Sequence, residues 1–167
     1  MTQTEFDWEA WQPNMFAVLM FIVKDGQVLL IEKLTGLGQG KVNAPGGKIE
    51  PGETAMQAAI RETQEEVCIA PINPIKRGEL SFAIGGGPQL YCQVFMADDF
   101  TGEPKATREA NPFWSAIDSI PFDRMWEDDQ FWLPGLINGQ TFSGKFVFED
   151  EDTLISKELH FDVTLKS

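Results

Sequence analysis

The chain has little with which to grip a polyanion. Thirteen lysines and arginines stand against 26 aspartates and glutamates, for a formal charge of −13 and a pI near 4.4. Long phosphate backbones are held by basic surfaces, so no nucleic-acid polymer is expected as partner. A small phosphate-bearing molecule is a different case. One lysine or a bridging metal holds it locally against an unfavourable overall field, and divalent cations are then obligatory. Cysteine is scarce too. Cys68 and Cys92 are too few for a disulfide framework and form no CxxC pair; both are expected as buried thiols. The one histidine, His160, lies in an alternating tail and is assigned no catalytic role. No apolar run approaches the roughly 20 residues that span a bilayer, and the opening MTQTEFDWEAWQP is acidic where a secretory signal is basic and then apolar. No membrane association and a cytoplasmic location are therefore expected. Repeats and low-complexity linkers are missing, and 167 residues suffice for one core without a second domain.

What is present reads as α/β. Residues 15–33, MFAVLMFIVKDGQVLLIEK, are two apolar runs joined by Asp25-Gly26, a two-residue hairpin signature. Residues 34–53 hold six glycines and two prolines and read as loop. Residues 54–67 are rich in helix formers, starting at Glu53 or Thr54. Strands are expected near 76–84, 89–96 and 112–116, a short helix over 128–137 despite Pro134, and a final hairpin in the tail. Trp8, Trp11 and Trp114 read as packing residues.

The chemistry concentrates in residues 46–69, GGKIEPGETAMQAAIRETQEEVCI. On a helix, Glu62, Glu65 and Glu66 share one face, where like charges are destabilising unless something neutralises them. In an exposed helix such a cluster is usually a solvated acidic face. A Gly-Gly turn directly upstream lets backbone approach a ligand, and hard carboxylate oxygens suit Mg²⁺ or Mn²⁺, which bridge phosphates and activate water. Arg61 and Glu53 look paired, bracing the loop against the helix.

This pattern resembles the signature of the Nudix hydrolases. The chain supplies Gly47, Glu53, Arg61, Glu62, Glu65, Glu66 and Ile69 in register, and departs at Thr63, usually apolar, and Cys68, usually glycine. Glycine there relieves a left-handed cap, so a differently shaped helix end is expected. The resemblance spans about residues 16–165. Residues 112–138 with Lys33, Asn43, Gly-Gln-Gly at 38–40 and FVFEDEDTL at 146–154 resemble a branch acting on oxidised purine nucleoside triphosphates. Residues 1–15 read as an N-terminal extension and 16–167 as the domain.

The resemblance implies an α/β/α sandwich around a mixed sheet, with water attacking a phosphorus to release monophosphate and pyrophosphate. It implies a small-molecule nucleotide substrate and Mg²⁺, or Mn²⁺, held by the Gly46 carbonyl, Glu62, Glu66 and a loop residue, Glu109. Glu65 assists; which acid is the general base stays open. Lys33 would lie near sugar and phosphates, or else be a strand-end lysine in water. The base pocket would comprise Asn43, Phe82, Leu90, Trp126, Asp128, Asp129 and Trp132, with Phe82 and Leu90 equally readable as core. Val18, Leu37 and Leu90 replace a threonine, a phenylalanine and a methionine of that branch.

In MWEDDQFW, residues 125–132, two adjacent acids sit among tryptophans. In a partly dry pocket both do not ionise, and they titrate as a pair sharing a proton, one donating while the other accepts. Moving that proton between them would let one pocket take both an oxidised guanine and an oxidised adenine, as the resemblance implies. Otherwise Asp128 caps a helix and Asp129 faces water. Alternative substrates are ADP-ribose, a nucleotide sugar or a methylated nucleotide; another reading is a non-catalytic nucleotide sensor, against which the intact glutamates speak. A monomer is expected.

Overall fold

A computed structural model describes residues 6–166. Strands β1 (Met15–Lys24) and β2 (Gln27–Lys33) form the expected hairpin, turning on Asp25 and Gly26 at φ of 53° and 75°. Positive φ at both central residues matches the right-handed twist of the flanking strands. Next come β3 (Val42–Asn43), β4 (Gly46–Lys48), helix α1 (Ala55–Val67), β5 (Ala70–Pro71), β6 (Ile75–Ile84), β7 (Gln89–Ala97), β8 (Phe100–Thr101) and β9 (Ala110–Ala116). A single 3₁₀ turn, Phe122–Arg124, precedes helix α2 (Asp129–Ile137) and the closing hairpin β10 (Phe142–Asp150) and β11 (Thr153–Phe161).

Nine strands make one mixed sheet in the order β11–β10–β6–β7–β1–β2–β3, with β4 added on β1 and β9 on β2. Pairs β1–β7 and β10–β6 are parallel and the rest antiparallel. Strand β1 divides its second edge: Ala17–Leu19 pair with β4, whereas only Val23 and Lys24 pair with β2. Alternation along β1 sends Val18, Met20 and Ile22 into a core with Ala58, Ala59 and Val67 of α1, while Phe21 joins Trp132, Leu133 and Leu136 of α2 on the other side. The result is the α/β/α layering that the resemblance implied. Among the described residues no helix is long and apolar enough to cross a membrane.

Three local expectations are corrected. The glycine-rich stretch is not all loop, because β3 and β4 pair within it. Gly46 can lie flat on β1 only without a side chain, since a Cβ there would sit 2.1 Å from the Val18 carbonyl oxygen. The end of α1 is not reshaped: Cys68 itself takes the left-handed cap, φ 66° and ψ 25°, its N–H donating to the Gln64 carbonyl. A non-glycine residue there carries strain of roughly 1 kcal/mol. Cys68 is also exposed; only Cys92 is the buried thiol expected. Thr63 is fully buried, its hydroxyl donating to the Ala59 carbonyl at 2.7 Å, so a polar residue fits an apolar position.

Ahead of β1, the Trp11 indole donates to Gln89 at 2.7 Å and Trp8 packs 5.1 Å from it, beneath the Lys145 ammonium. Trp114 packs on Phe100. His160 is an exposed residue of β11 beside Glu158.

Candidate active site

Helix α1 is aimed by its ends. Thr54 and Gln57 form a reciprocal capping box, and Ala58, Ala59 and Val67 bury one face, so Glu62 and Glu66 rise along the edge beside the β4 glycines. The Gly46 N–H donates to Glu66 Oε2 at 3.3 Å. Gly47 packs so close to Glu62 that a Cβ would come within 2.4 Å of its carboxyl carbon. Glu109 arrives from the loop before β9. Thr107 donates to the Glu66 backbone carbonyl at 2.7 Å and accepts from the Glu109 N–H at 3.3 Å, while the Glu109 carbonyl accepts from Leu34. One carboxylate oxygen from each of Glu62, Glu66 and Glu109 then lies within 4.8 Å of the others. Thr107 was not singled out from the sequence; a loop threonine two residues before an acid is too common a pattern.

Burial pushes the Glu66 carboxyl up to about 8, against the Gly46 N–H and the Lys33 charge, and with Glu62 and Glu109 adding to the rise. Glu62 is raised by burial and held back by Arg61. Three crowded carboxylate oxygens, with burial opposing the charge of Glu62 and Glu66, fit a divalent cation. Arg61 grips Glu53 with two bonds, 2.7 and 2.8 Å, as its sequence position suggested, and holds that carboxyl down at about 2. It also donates to Glu62, Glu65 and the Lys48 carbonyl. Glu65 is thus turned toward Arg61 and stands outside the triad. Gly46 touches the triad through its N–H.

A cavity of about 340 Å³ opens beside these acids, and Lys33, Asn43, Phe82, Leu90, Trp126, Asp128, Asp129 and Trp132 all line it, with Gly46 and Gly47 at the acidic end. Phe82 lines the cavity and also packs in the core, stacked 5.7 Å from Phe146, so its two readings coexist. Asn43 Oδ1 accepts from Ala44 N–H, which leaves its NH₂ as the donor for a ligand. Met15, Ala17, Leu19, Ile84, Cys92 and Lys48 also line the space. None was singled out for the site: the apolar ones read as core, with nothing to mark where a cavity interrupts it, and Lys48 fell in the stretch read as loop.

Asp128 and Asp129 are 1% and 4% exposed. The Trp132 indole donates to Asp128 Oδ2 at 2.7 Å, and Asp128 Oδ1 and Asp129 Oδ2 have no partner among the described residues. Burial raises both carboxyls; the Trp132 indole and Asp129 hold Asp128 back, whereas Asp128 pushes Asp129 well up. Asp128 precedes α2 yet makes no side-chain cap, so the capping alternative is set aside. The two tryptophans differ. Trp132 is fully buried, stacked 5.1 Å from Phe142, whereas Trp126 is half-buried at the mouth, edge-on to Phe148.

Residues 13–135 match the model of the NUDIX domain. The chain belongs to the Nudix family. It is 39% identical over 142 residues to the oxidized purine nucleoside triphosphate hydrolase of Danio rerio and 38% identical to that of Mus musculus, each match covering 84% of this chain and 91% of the relative. The MutT protein of Bacillus halodurans superposes with a TM-score of 0.76 at 28% identity, over 87% of this chain and 97% of its own. Nudix membership accounts for the helix carrying Glu62 and Glu66 against two glycines: with Glu109 they form an acidic cluster that could hold a divalent metal.

Proposed function

We propose that this Nudix enzyme hydrolyses oxidised purine nucleoside triphosphates, of the 8-oxo-dGTP and 2-oxo-dATP kind, to monophosphate and pyrophosphate with Mg²⁺. The observation that carries the reading is the buried acid pair, Asp128 and Asp129, in the wall of a cavity that extends to Gly46 and Gly47, the two glycines packed against Glu66 and Glu62 of the triad. Relatives named for the same activity support it.

Glu62, Glu66, Glu109 and the Gly46 backbone would hold the cation, with Mn²⁺ as a substitute. Once bound it would neutralise triphosphate charge and polarise the phosphoryl group. Lys33 lines the cavity, near enough for its charge to act on Glu66, and would hold phosphate or sugar oxygens. The glutamates of α1 would accept the proton of the attacking water as the bond from phosphorus to the pyrophosphate oxygen breaks.

At the other end, Trp126 would stack on the purine, worth on the order of 1–3 kcal/mol. The indole donor favours charge on Asp128, so the shared proton resides on Asp129, which donates to the base edge while Asp128 accepts. Shifting that proton reverses donor and acceptor and would admit a second oxidised purine. One chain carries both ends of the site, so a cytoplasmic monomer suffices.

The test is the initial rate of pyrophosphate release from oxidised and unmodified triphosphates, with and without Mg²⁺. Oxidised purines should be preferred by at least about tenfold in kcat/KM, the discrimination that unpaired buried polar groups readily supply. Equal rates on unmodified triphosphates, or faster turnover of ADP-ribose, a nucleotide sugar or a methylated nucleotide, would overturn the substrate. Binding without turnover would point to a sensor.

A further inference from the structure

Residues 34–41 run from the acidic end of the cavity to its mouth. The Leu34 N–H donates to the Glu109 carbonyl at 2.9 Å, Gly40 to the Lys33 carbonyl at 2.8 Å and Lys41 to the Gly38 carbonyl at 2.9 Å. Gly36, Gly38 and Gly40 all have positive φ, between 77° and 89°, which folds the loop back on itself. Gly38 presses on Trp126: a Cβ there would lie 2.8 Å from the indole nitrogen. Three residues on, the Lys41 ammonium stands 5.7 Å from the Trp126 ring centroid and 2.6 Å from Asp152 Oδ1. Asp152 belongs to the turn between β10 and β11, 111 residues away in sequence. From β10 itself, Phe148 meets the Trp126 ring edge-on at 5.5 Å. Trp126 is therefore gripped by two segments, and the Lys41–Asp152 pair is the bond between them.

We propose that Lys41 and Asp152 are positioning residues for the nucleobase: their ion pair latches residues 34–41 to the β10–β11 turn and so fixes the Trp126 ring on which the purine stacks. The proposal rests on Trp126 serving as the stacking platform of the reading above. Asp152 is 81% exposed and Lys41 only 20%, so the pair adds little to global stability, and its effect falls on loop order and recognition. The cation over the ring holds the indole by its π face, and the carboxylate holds the cation.

The experiment compares Lys41→Met, Asp152→Asn, the double variant and the exchanged pair Lys41→Asp/Asp152→Lys. Without nucleotide, amide hydrogen exchange of residues 34–41 should quicken in both single variants and recover in the exchanged pair. KM for the triphosphate that the substrate panel selects should rise about two- to fivefold in each single variant, the size an exposed pair supports, with kcat nearly unchanged. The double variant should be no worse than the singles, because both remove one interaction. KM should climb more steeply with salt in the wild type than in Asp152→Asn, the difference being the part that screening of the latch contributes. Unchanged exchange and KM in the single variants, or losses that multiply in the double variant, would overturn the latch. If no oxidised purine is hydrolysed, the substrate reading falls; exchange, and KM on whichever nucleotide is turned over, still decide the latch.

Discussion

The indole nitrogen of Trp132 donates to Asp128 Oδ2 at 2.7 Å, and no such donor among the described residues reaches Asp129. One hydrogen bond thus makes two adjacent, equally buried carboxyls unlike: Asp128 is the easier to ionise and Asp129 the easier to keep protonated.

Removing the second acid should stabilise the fold above neutrality. A buried acid with a raised carboxyl binds its proton more tightly folded than unfolded. Its contribution is nil below the ordinary carboxylate range and grows unfavourable as pH rises from there through the folded value. Asp129→Asn cannot ionise, so from pH 5 to pH 8 the wild type should lose more stability than the variant. Denaturant melts at the two pH values measure it, and parallel losses would refute the raised Asp129 carboxyl. The same variant should change the ranking among oxidised bases, since an amide fixes the donor pattern.

Glu66→Gln should cut turnover by about two or more orders of magnitude, the scale of several kcal/mol of lost charge stabilisation. Because a glutamine still accepts from the Gly46 N–H, the fold should persist. Mn²⁺ binding followed by electron paramagnetic resonance should weaken in parallel. Full turnover would refute the triad as the metal site.

The tryptophans should separate by experiment. Trp126→Ala should raise KM about ten- to a hundredfold, the equivalent of one lost base stack, with little change in melting temperature. Trp132→Phe deletes the indole donor inside the core and should lower stability by about 1–3 kcal/mol, the cost of unpairing a buried group. A melting-temperature loss larger for Trp126→Ala than for Trp132→Phe would reverse their roles.

Cys68→Gly should stabilise the protein by up to about 1 kcal/mol, because glycine takes the left-handed cap without steric strain. Since Cys68 is exposed and touches no reacting group, kcat and KM should not move. A lower melting temperature in the variant would show that no strain is held there.

The local pattern of the sequence determined α1, the β1–β2 hairpin and the closing hairpin, because period, capping and turn chemistry act over a few residues. It also determined that Glu62 and Glu66 share a helix face and that Arg61 meets Glu53, both fixed by helical spacing and a short loop. What lies across the chain was decided by tertiary structure. Glu109 reaches the triad through Thr107, and the last residues of α1 set where that loop ends; no spacing encodes a distance between segments 40 residues apart. Trp126 and Trp132 look alike in the sequence, yet packing buries one among Phe21 and Phe142 and leaves the other at the cavity mouth. Cys68 likewise read as buried until the cap placed it outside. Burial and long-range contact come from how layers stack, a property of the whole chain that a window of neighbours does not contain.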